Sequence, residues 1–236
     1  MTPQLEGGTA FITGGNGGLG GEFARQLLER GARRVYAADL TAAPSADPRI
    51  VPLEVDVTDR ASIARAAAAA GDVDLVINNA GITVREPLSA QDMSIVRRIF
   101  DVNFFGAVDV VQEFAPVLAR NGGGALVDVC SIMSWNARSG AYSAAKAALW
   151  SATNSFRLEL AAQGTHVMGL YLTYTKTPLT VALDQSTMND PVDVVRAALD
   201  GLARGELEVL ADDDTRAARA GLSGPVDALY PELSAR

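Results

Sequence analysis

A short apolar run, Thr9-Ala10-Phe11-Ile12, breaks at Thr13 into a cluster of glycines, and a helical pattern begins almost at once. Leu19, Phe23, Leu27 and Leu28 recur at helical spacing until Gly31. A buried strand that turns straight into a helix leaves few folds open, because so tight a turn needs residues without a Cβ. Two registers of one pattern overlap here. Gly15, Gly17 and Gly20 fit G-x-G-x-x-G, and Gly14, Gly18 and Gly20 fit T-G-x-x-x-G-x-G counted from Thr13. In either register the glycines let the backbone approach a pyrophosphate, which then sits at the positive end of the helix. Asn16 and Leu19 fill positions between them. Asp39 follows Gly20 by 19 residues, at the end of the next apolar run, where a carboxylate can accept both ribose hydroxyls. The loop lacks a G-K-[ST] ending, so it is not the phosphate loop of nucleoside triphosphatases. The stretch predicts a dinucleotide site. Asp39, with Leu40 after it, predicts NAD(H) over NADP(H): a 2′-phosphate would meet a like charge, and Arg33 and Arg34 lie at the far end of the strand. NADP remains possible if a basic residue reaches the site from elsewhere.

The same alternation continues down the chain. Apolar runs at 9–12, 35–38, 50–55, 75–77, 125–130, 166–172 and 207–210 read as strands. Helical patterns fill 18–30, 59–70, 141–163 and 191–204, and 89–118 reads as one long helix or two. No two strands are close enough for a hairpin. The expected fold is therefore α/β, a doubly wound parallel sheet of about seven strands with helices on both faces, in three layers. No repeat or linker divides the chain, so one domain is expected over residues 1–236.

A second feature carries chemistry. Tyr142 and Lys146 are four residues apart in a stretch of strong helix formers, which places them on one face, one turn apart. Tyr-x-x-x-Lys pairs are common, but of the 20 Lys and Arg residues only Lys146 and Lys176 are lysine. The exception at Lys146 points to a compact point charge, not a planar fork. A cation beside the phenol would lower its pKa and suit it to proton transfer, and the Ser131 hydroxyl could hold a substrate oxygen.

With the glycine loop, Asn78-Asn79-Ala80-Gly81 and Tyr142-x-x-x-Lys146 in this order, the chain resembles the short-chain dehydrogenase/reductase family from about Leu5 to Thr177. The resemblance implies a Rossmann-like single domain that binds NAD or NADP. It implies that Asp56, followed by Val57, contacts the adenine, and that Asn78 and Ala80, next to Gly81, line the adenosine side. It gives Asn103 a water that links the lysine to solvent, makes Ser131 the catalytic serine, and sets Thr177 against the nicotinamide carboxamide. It also implies a small-molecule carbonyl or alcohol substrate and a homotetramer or homodimer, for which the helices at 89–118 and 141–163 carry more apolar positions than one buried face needs. The alternative is a catalytically weak, dinucleotide-sensing protein on the same fold. Three features depart from the family. Ser131 and Tyr142 are only 11 positions apart, leaving Ser134 as a competitor for the serine role. Leu172-Thr173 replaces the usual Pro-Gly pair, and the segment after Thr177 is short.

The remaining signals are mostly exclusions. A net charge of −8 argues against a nucleic-acid partner. One cysteine and one histidine exclude a Cys/His zinc site, and no metal is expected. His166, in an apolar strand, and Cys130 read as structural. Asp212-Asp213-Asp214 reads as a helix cap, and Met133, Trp135 and Tyr174 as candidates for a pocket wall. The polar start and the lack of about 18 consecutive apolar residues predict no secretory leader and no membrane span, hence a cytoplasmic protein.

Overall fold

In the computed structural model, which describes residues 5–233, each of the seven apolar runs extends as a strand. They are β1 (Thr9–Thr13), β2 (Arg34–Asp39), β3 (Ile50–Glu54), β4 (Leu75–Asn78), β5 (Ala125–Val129), β6 (His166–Tyr171) and β7 (Glu208–Leu210). All pair in parallel, in the order β3-β2-β1-β4-β5-β6-β7. The central strands β1, β4 and β5 are buried at every position. Covered on both faces, they read as continuous apolar runs without alternation. The order reverses between β1 and β4, and that reversal opens a crevice at the carboxyl ends of the strands.

Helices α1 (Gly18–Glu29), α2 (Arg60–Ala69), α3 (Met93–Phe100), α4 (Gly106–Arg120), α5 (Gly140–Glu159), α6 (Pro191–Ala203), α7 (Asp213–Gly221) and α8 (Val226–Leu229) complete the fold. On one face Phe23 and Leu27 of α1 pack with Val195 and Leu199 of α6. On the other, Ile63 of α2 and Phe114 and Val117 of α4 cover the sheet, with the Phe11 and Phe114 rings 4.2 Å apart. Fully burying each such side chain contributes about 1.5–3 kcal/mol. The alanine-rich α2 begins at Asp59, whose carboxylate accepts the Ala61 N–H. The short α8 has no counterpart in the sequence expectations.

The segment expected at 89–118 is one continuous helix, Met93–Arg120. It starts later than expected because Asp92 caps it, accepting from the N–H and hydroxyl of Ser94. Between α3 and α4 it widens into a π turn, Asp101–Phe105. The cause is local: the Asn103 amide donates to the Ile99 carbonyl at 2.8 Å, the acceptor that its own N–H takes in a regular α-helix. By length and apolar character Met93–Arg120 could cross a bilayer, but Val110, Phe114, Val117 and Leu118 bury its inner face.

Candidate active site

The turn after β1 settles the two glycine registers. Gly14 (φ 64°) and Gly18 (φ 55°) are left-handed, a conformation that costs other residues about 1 kcal/mol or more. A Cβ at Gly20 would stand 2.0 Å from the Gly14 carbonyl oxygen. Gly17 is extended (φ −175°) with nothing near its would-be Cβ. The geometry therefore needs Gly14, Gly18 and Gly20 of the register Thr13-Gly14-x-x-x-Gly18-x-Gly20, and also Gly15, whose Cβ would stand 2.8 Å from the Ala37 Cα; of the glycines in the two registers, Gly17 is the one it does not need.

From this cradle a cleft of about 970 Å³ runs along the carboxyl ends of the strands. Gly14, Asn16, Gly17, Gly18 and Leu19 form one wall, with Asp39 and Leu40 at the end of β2, and Asp56 and Val57 beyond β3. Ala80 and Gly81 continue it, Ser131, Tyr142 and Lys146 close the other end, and Thr177 lines it beside Gly18. Asp39 is fixed by the N–H groups of Asn16 at 3.1 Å and Leu40 at 2.9 Å. Arg33 and Arg34 pair with Asp72 at the opposite edge of the sheet, as expected, and among the described residues no basic group lies within 4.0 Å of Asp39. Asp56 accepts from the N–H and hydroxyl of Thr58, which hold its carboxyl below the usual carboxylate range. The left-handed glycines, the close approach at Gly20 and the acid at the end of β2 fit a nicotinamide dinucleotide.

Four expected site residues do not line the cleft. Thr13 is buried, and its hydroxyl accepts from the N–H groups of Asn79 and Ala80, both at 3.0 Å. Gly20 lies under the turn. These two shape the cradle and present no surface to it. Asn78 points into the core, donating to Asp128 at 2.9 Å and the Ala107 carbonyl at 3.2 Å. The side chain on the cleft is Asn79, which donates to the Thr13 and Gly14 carbonyls. Asn78 still obeys strand alternation and Asn79 has left the strand, a one-residue phase that the motif does not display. Asn103 is buried behind the wall, its amide donating to the Ile82 and Ile99 carbonyls, while its Oδ1 has no partner among protein groups and faces Gly81.

At the far end Ser131 follows β5, and its hydroxyl accepts from the Met133 N–H at 3.2 Å. Ser134, the competitor, donates to the Lys146 carbonyl at 3.0 Å and lies off the cleft. Tyr142 and Lys146 share one face of α5, with the ammonium 5.7 Å from the ring centroid. Lys146 is buried, donates to the Val129 carbonyl at 2.7 Å, and burial lowers its pKa. In the protein alone the half-buried Tyr142 shifts in the direction opposite to the expected one. Burial pushes Tyr142 up to about 12, against a pull downward from the Ser131 hydroxyl. Desolvation of the phenolate is the largest cause, and the lysine, turned toward a backbone carbonyl, does not offset it.

Met133 and Tyr174 line the cleft as expected, whereas Trp135 stacks on Tyr171 at 4.4 Å, outside it. Cys130 is buried, with its thiol pushed up to about 12 by burial, and His166 is 3.0 Å from the Glu206 carbonyl; both are structural. Asp212 caps α7 and also accepts from Thr173 N–H and hydroxyl and from Asn189. That carboxylate fixes the path from Leu172-Thr173 toward Thr177. Nothing in the local pattern of the sequence joins residues so far apart.

The short chain dehydrogenase profile matches residues 8–187. Cis-4-hydroxycyclohexanecarboxylate dehydrogenase of Sinomonas cyclohexanicum is 35% identical over 188 residues, covering 74% of this chain and 76% of that one. The 2-dehydro-3-deoxy-L-rhamnonate dehydrogenase (NAD(+)) of Sphingomonas sp. (strain SKA58) is 33% identical, covering 79% of each. Among solved structures, a short chain dehydrogenase from Burkholderia cenocepacia J2315 in complex with NADP superposes with a TM-score of 0.90 at 35% identity, over 98% of this chain and 99% of that one.

Proposed function

The chain belongs to the short-chain dehydrogenase/reductase family, and on that premise we propose that Tyr142 is the acid/base of hydride transfer between a nicotinamide and a secondary alcohol or ketone. The class itself is an oxidoreductase acting on alcohol or carbonyl groups with a nicotinamide dinucleotide. The observation that carries the proposal is one cleft with the glycine cradle and Asp39 at one end and Ser131, Tyr142 and Lys146 at the other. A bound dinucleotide supplies the hydride acceptor or donor and, when oxidised, a positive charge that favours a nearby phenolate. Ser131 holds the substrate oxygen, and Tyr142 takes or returns its proton. Lys146 holds the ribose and adds a buried positive charge. Thr177 meets the carboxamide, and Asn103 Oδ1 is the atom left to hold a water in the relay. Oxidation of a panel of secondary alcohols, followed by dinucleotide absorbance, tests the reading. A protein that binds dinucleotide and turns over none of them would instead be the sensing protein that the short Ser131–Tyr142 connection favours.

The direction of the Tyr142 shift gives a pH dependence. Alcohol oxidation needs the phenolate, and a pKa raised toward 12 makes that form scarce near neutrality. At saturating dinucleotide, oxidation kcat/KM should therefore rise about tenfold per pH unit on its acid side and level off above the phenol's pKa in the dinucleotide-bound enzyme before substrate binds. Ketone reduction needs the phenol and should stay flat across neutral pH. An oxidation rate independent of pH between 6 and 9 would remove Tyr142 from the proton path.

On cofactor choice, the Burkholderia protein is described with NADP and the Sphingomonas enzyme with NAD(+), so Asp39 is the deciding residue in this chain. Wild-type kcat/KM should favour NAD(H) by at least about tenfold, or 1.4 kcal/mol. Asp39→Ala should shrink that ratio, chiefly by weakening NAD(H). A wild-type preference for NADP(H) would mean that an arginine from elsewhere reaches the 2′ position.

A homo-oligomer, a tetramer in our reading, is supported by large apolar side chains left exposed on the two long helical segments, Phe105 at 53% and Leu158 at 82%. Light scattering at micromolar concentration should give a multiple of the chain mass. The mass of a single chain would refute it.

A further inference from the structure

Arg85 stands where two cavities meet. It follows β4, in the loop beyond Gly81, and lines the main cleft. It also lines a second cavity of about 730 Å³, walled by Leu88, Trp135 and Ser143, which shares Met133, Ser139 and Tyr174 with the cleft. Its guanidinium lies 5.1 Å from the centroid of the Tyr174 ring. That contact places the positive charge over the ring and leaves the guanidinium's N–H groups free for a partner. Tyr174 lines the same cleft as Tyr142 and Ser131. The Arg85–Tyr174 pair thus borders the space in which the reacting oxygen must sit.

The charges around it leave this arginine uncommitted. Among the described residues no carboxylate lies within 4.0 Å of Arg85, whereas Arg138, on the same second cavity, is paired with Glu232 at 2.7 Å. Asp39 and Asp56 line the distant end of the cleft and are held by backbone N–H groups. Asp214 sits in the first turn of α7, where a negative charge is favoured by the helix. With a net charge of −8 the chain as a whole repels anions, so an anionic substrate needs a local cation at the mouth.

We propose that Arg85, lying over the Tyr174 ring, binds a carboxylate carried by the substrate, so that the alcohol or ketone is an organic anion. This rests on Tyr142 being the reacting group, and it adds the substrate class. A planar fork with free N–H groups takes a carboxylate through two parallel N–H···O bonds, which fixes orientation as well as charge.

The test separates binding from turnover. Cyclohexanecarboxylate and cyclohexanecarboxamide are titrated calorimetrically into the NAD-saturated protein, and into Arg85→Gln prepared in the same way. Arg85 is exposed, and equal melting temperatures for the two proteins are the check on folding. Wild type should bind the acid at least tenfold more tightly than the amide, and Arg85→Gln should bind them alike. Equal affinities in wild type, no binding of either, or a preference that survives the substitution overturns the proposal. The hydroxylated counterparts of the same pair are then assayed for dinucleotide reduction. An Arg85-dependent preference in binding without any turnover would leave the carboxylate site standing and refute the hydride-transfer reading instead.

Discussion

Tyr142→Phe is expected to lower turnover by about 10²–10⁴-fold while the dinucleotide still binds. The substitution removes one oxygen and leaves the ring, so the wall of the cleft and its packing on α5 persist. What is lost is the hydroxyl that, in the proposed mechanism, exchanges a proton with an oxygen held by Ser131. Dinucleotide affinity, followed by fluorescence, should change less than tenfold, because the cradle at Gly14 and Gly18 and the acid at Asp39 lie at the other end of the cleft. Activity within tenfold of wild type would remove Tyr142 from the mechanism. Lys146→Arg should be impaired as severely even though the charge is kept. Lys146 is buried and spends one donor on the Val129 carbonyl at 2.7 Å, in a space that fits an ammonium and not a broad fork.

Gly20→Ala should damage both the fold and the dinucleotide cradle. Its Cβ would lie 2.0 Å from the Gly14 oxygen and 2.8 Å from the Asn79 amide nitrogen. Neither neighbour is a flexible tip. The first is backbone of the cradle, and the second is fixed by the Thr13 and Gly14 carbonyls. Helix α1 must move away from the turn or the turn must open, at a cost of about 1–3 kcal/mol. For a chain of this size that is a fall in Tm of roughly 3–10 °C, together with at least a tenfold loss of dinucleotide affinity. Gly17→Ala is the control for stability, since its φ of −175° is open to any residue and nothing lies within 4 Å of the added carbon. A Gly20→Ala protein that melts with wild type and binds dinucleotide as well would show that the close approach is not needed.

The residues that were legible in the sequence are those whose role is set by chain neighbours. The seven strands, the alanine-rich helix at 59–70, the cap at Asp212 and the pairing of Tyr142 with Lys146 on one helical face all follow from local pattern. The misplacements came where a side chain's direction depends on parts distant in sequence. Asn78 and Asn79 are equivalent as letters, and only the facing Asp128, 50 residues away, draws one of them inward. Asn103 was expected, from the resemblance, to hold a water of the proton relay; the sequence did not display that its amide is consumed by the Ile82 and Ile99 carbonyls, leaving only its Oδ1 for that part. The phenol's raised pKa was invisible for the same reason. The sequence displays the cation beside Tyr142 but not the burial that opposes it.

The π turn at Asp101–Phe105 sets the phase of the whole helix that carries it. A wide turn holds one residue more than an α turn, and one residue is about 100° of rotation. The two halves of Met93–Arg120 can therefore aim their apolar stripes at different neighbours without a bend or a break. Ile99 of α3 packs with Ala141 and Ala145 of α5, while Val110 and Phe114 of α4 pack with Phe11 and Val76 of the sheet. Removing any one residue from 101–105 would restore a regular helix and swing one of those stripes toward solvent. Chain length is thus as tightly constrained at this point, in the middle of an unbroken helix, as at any turn in the molecule.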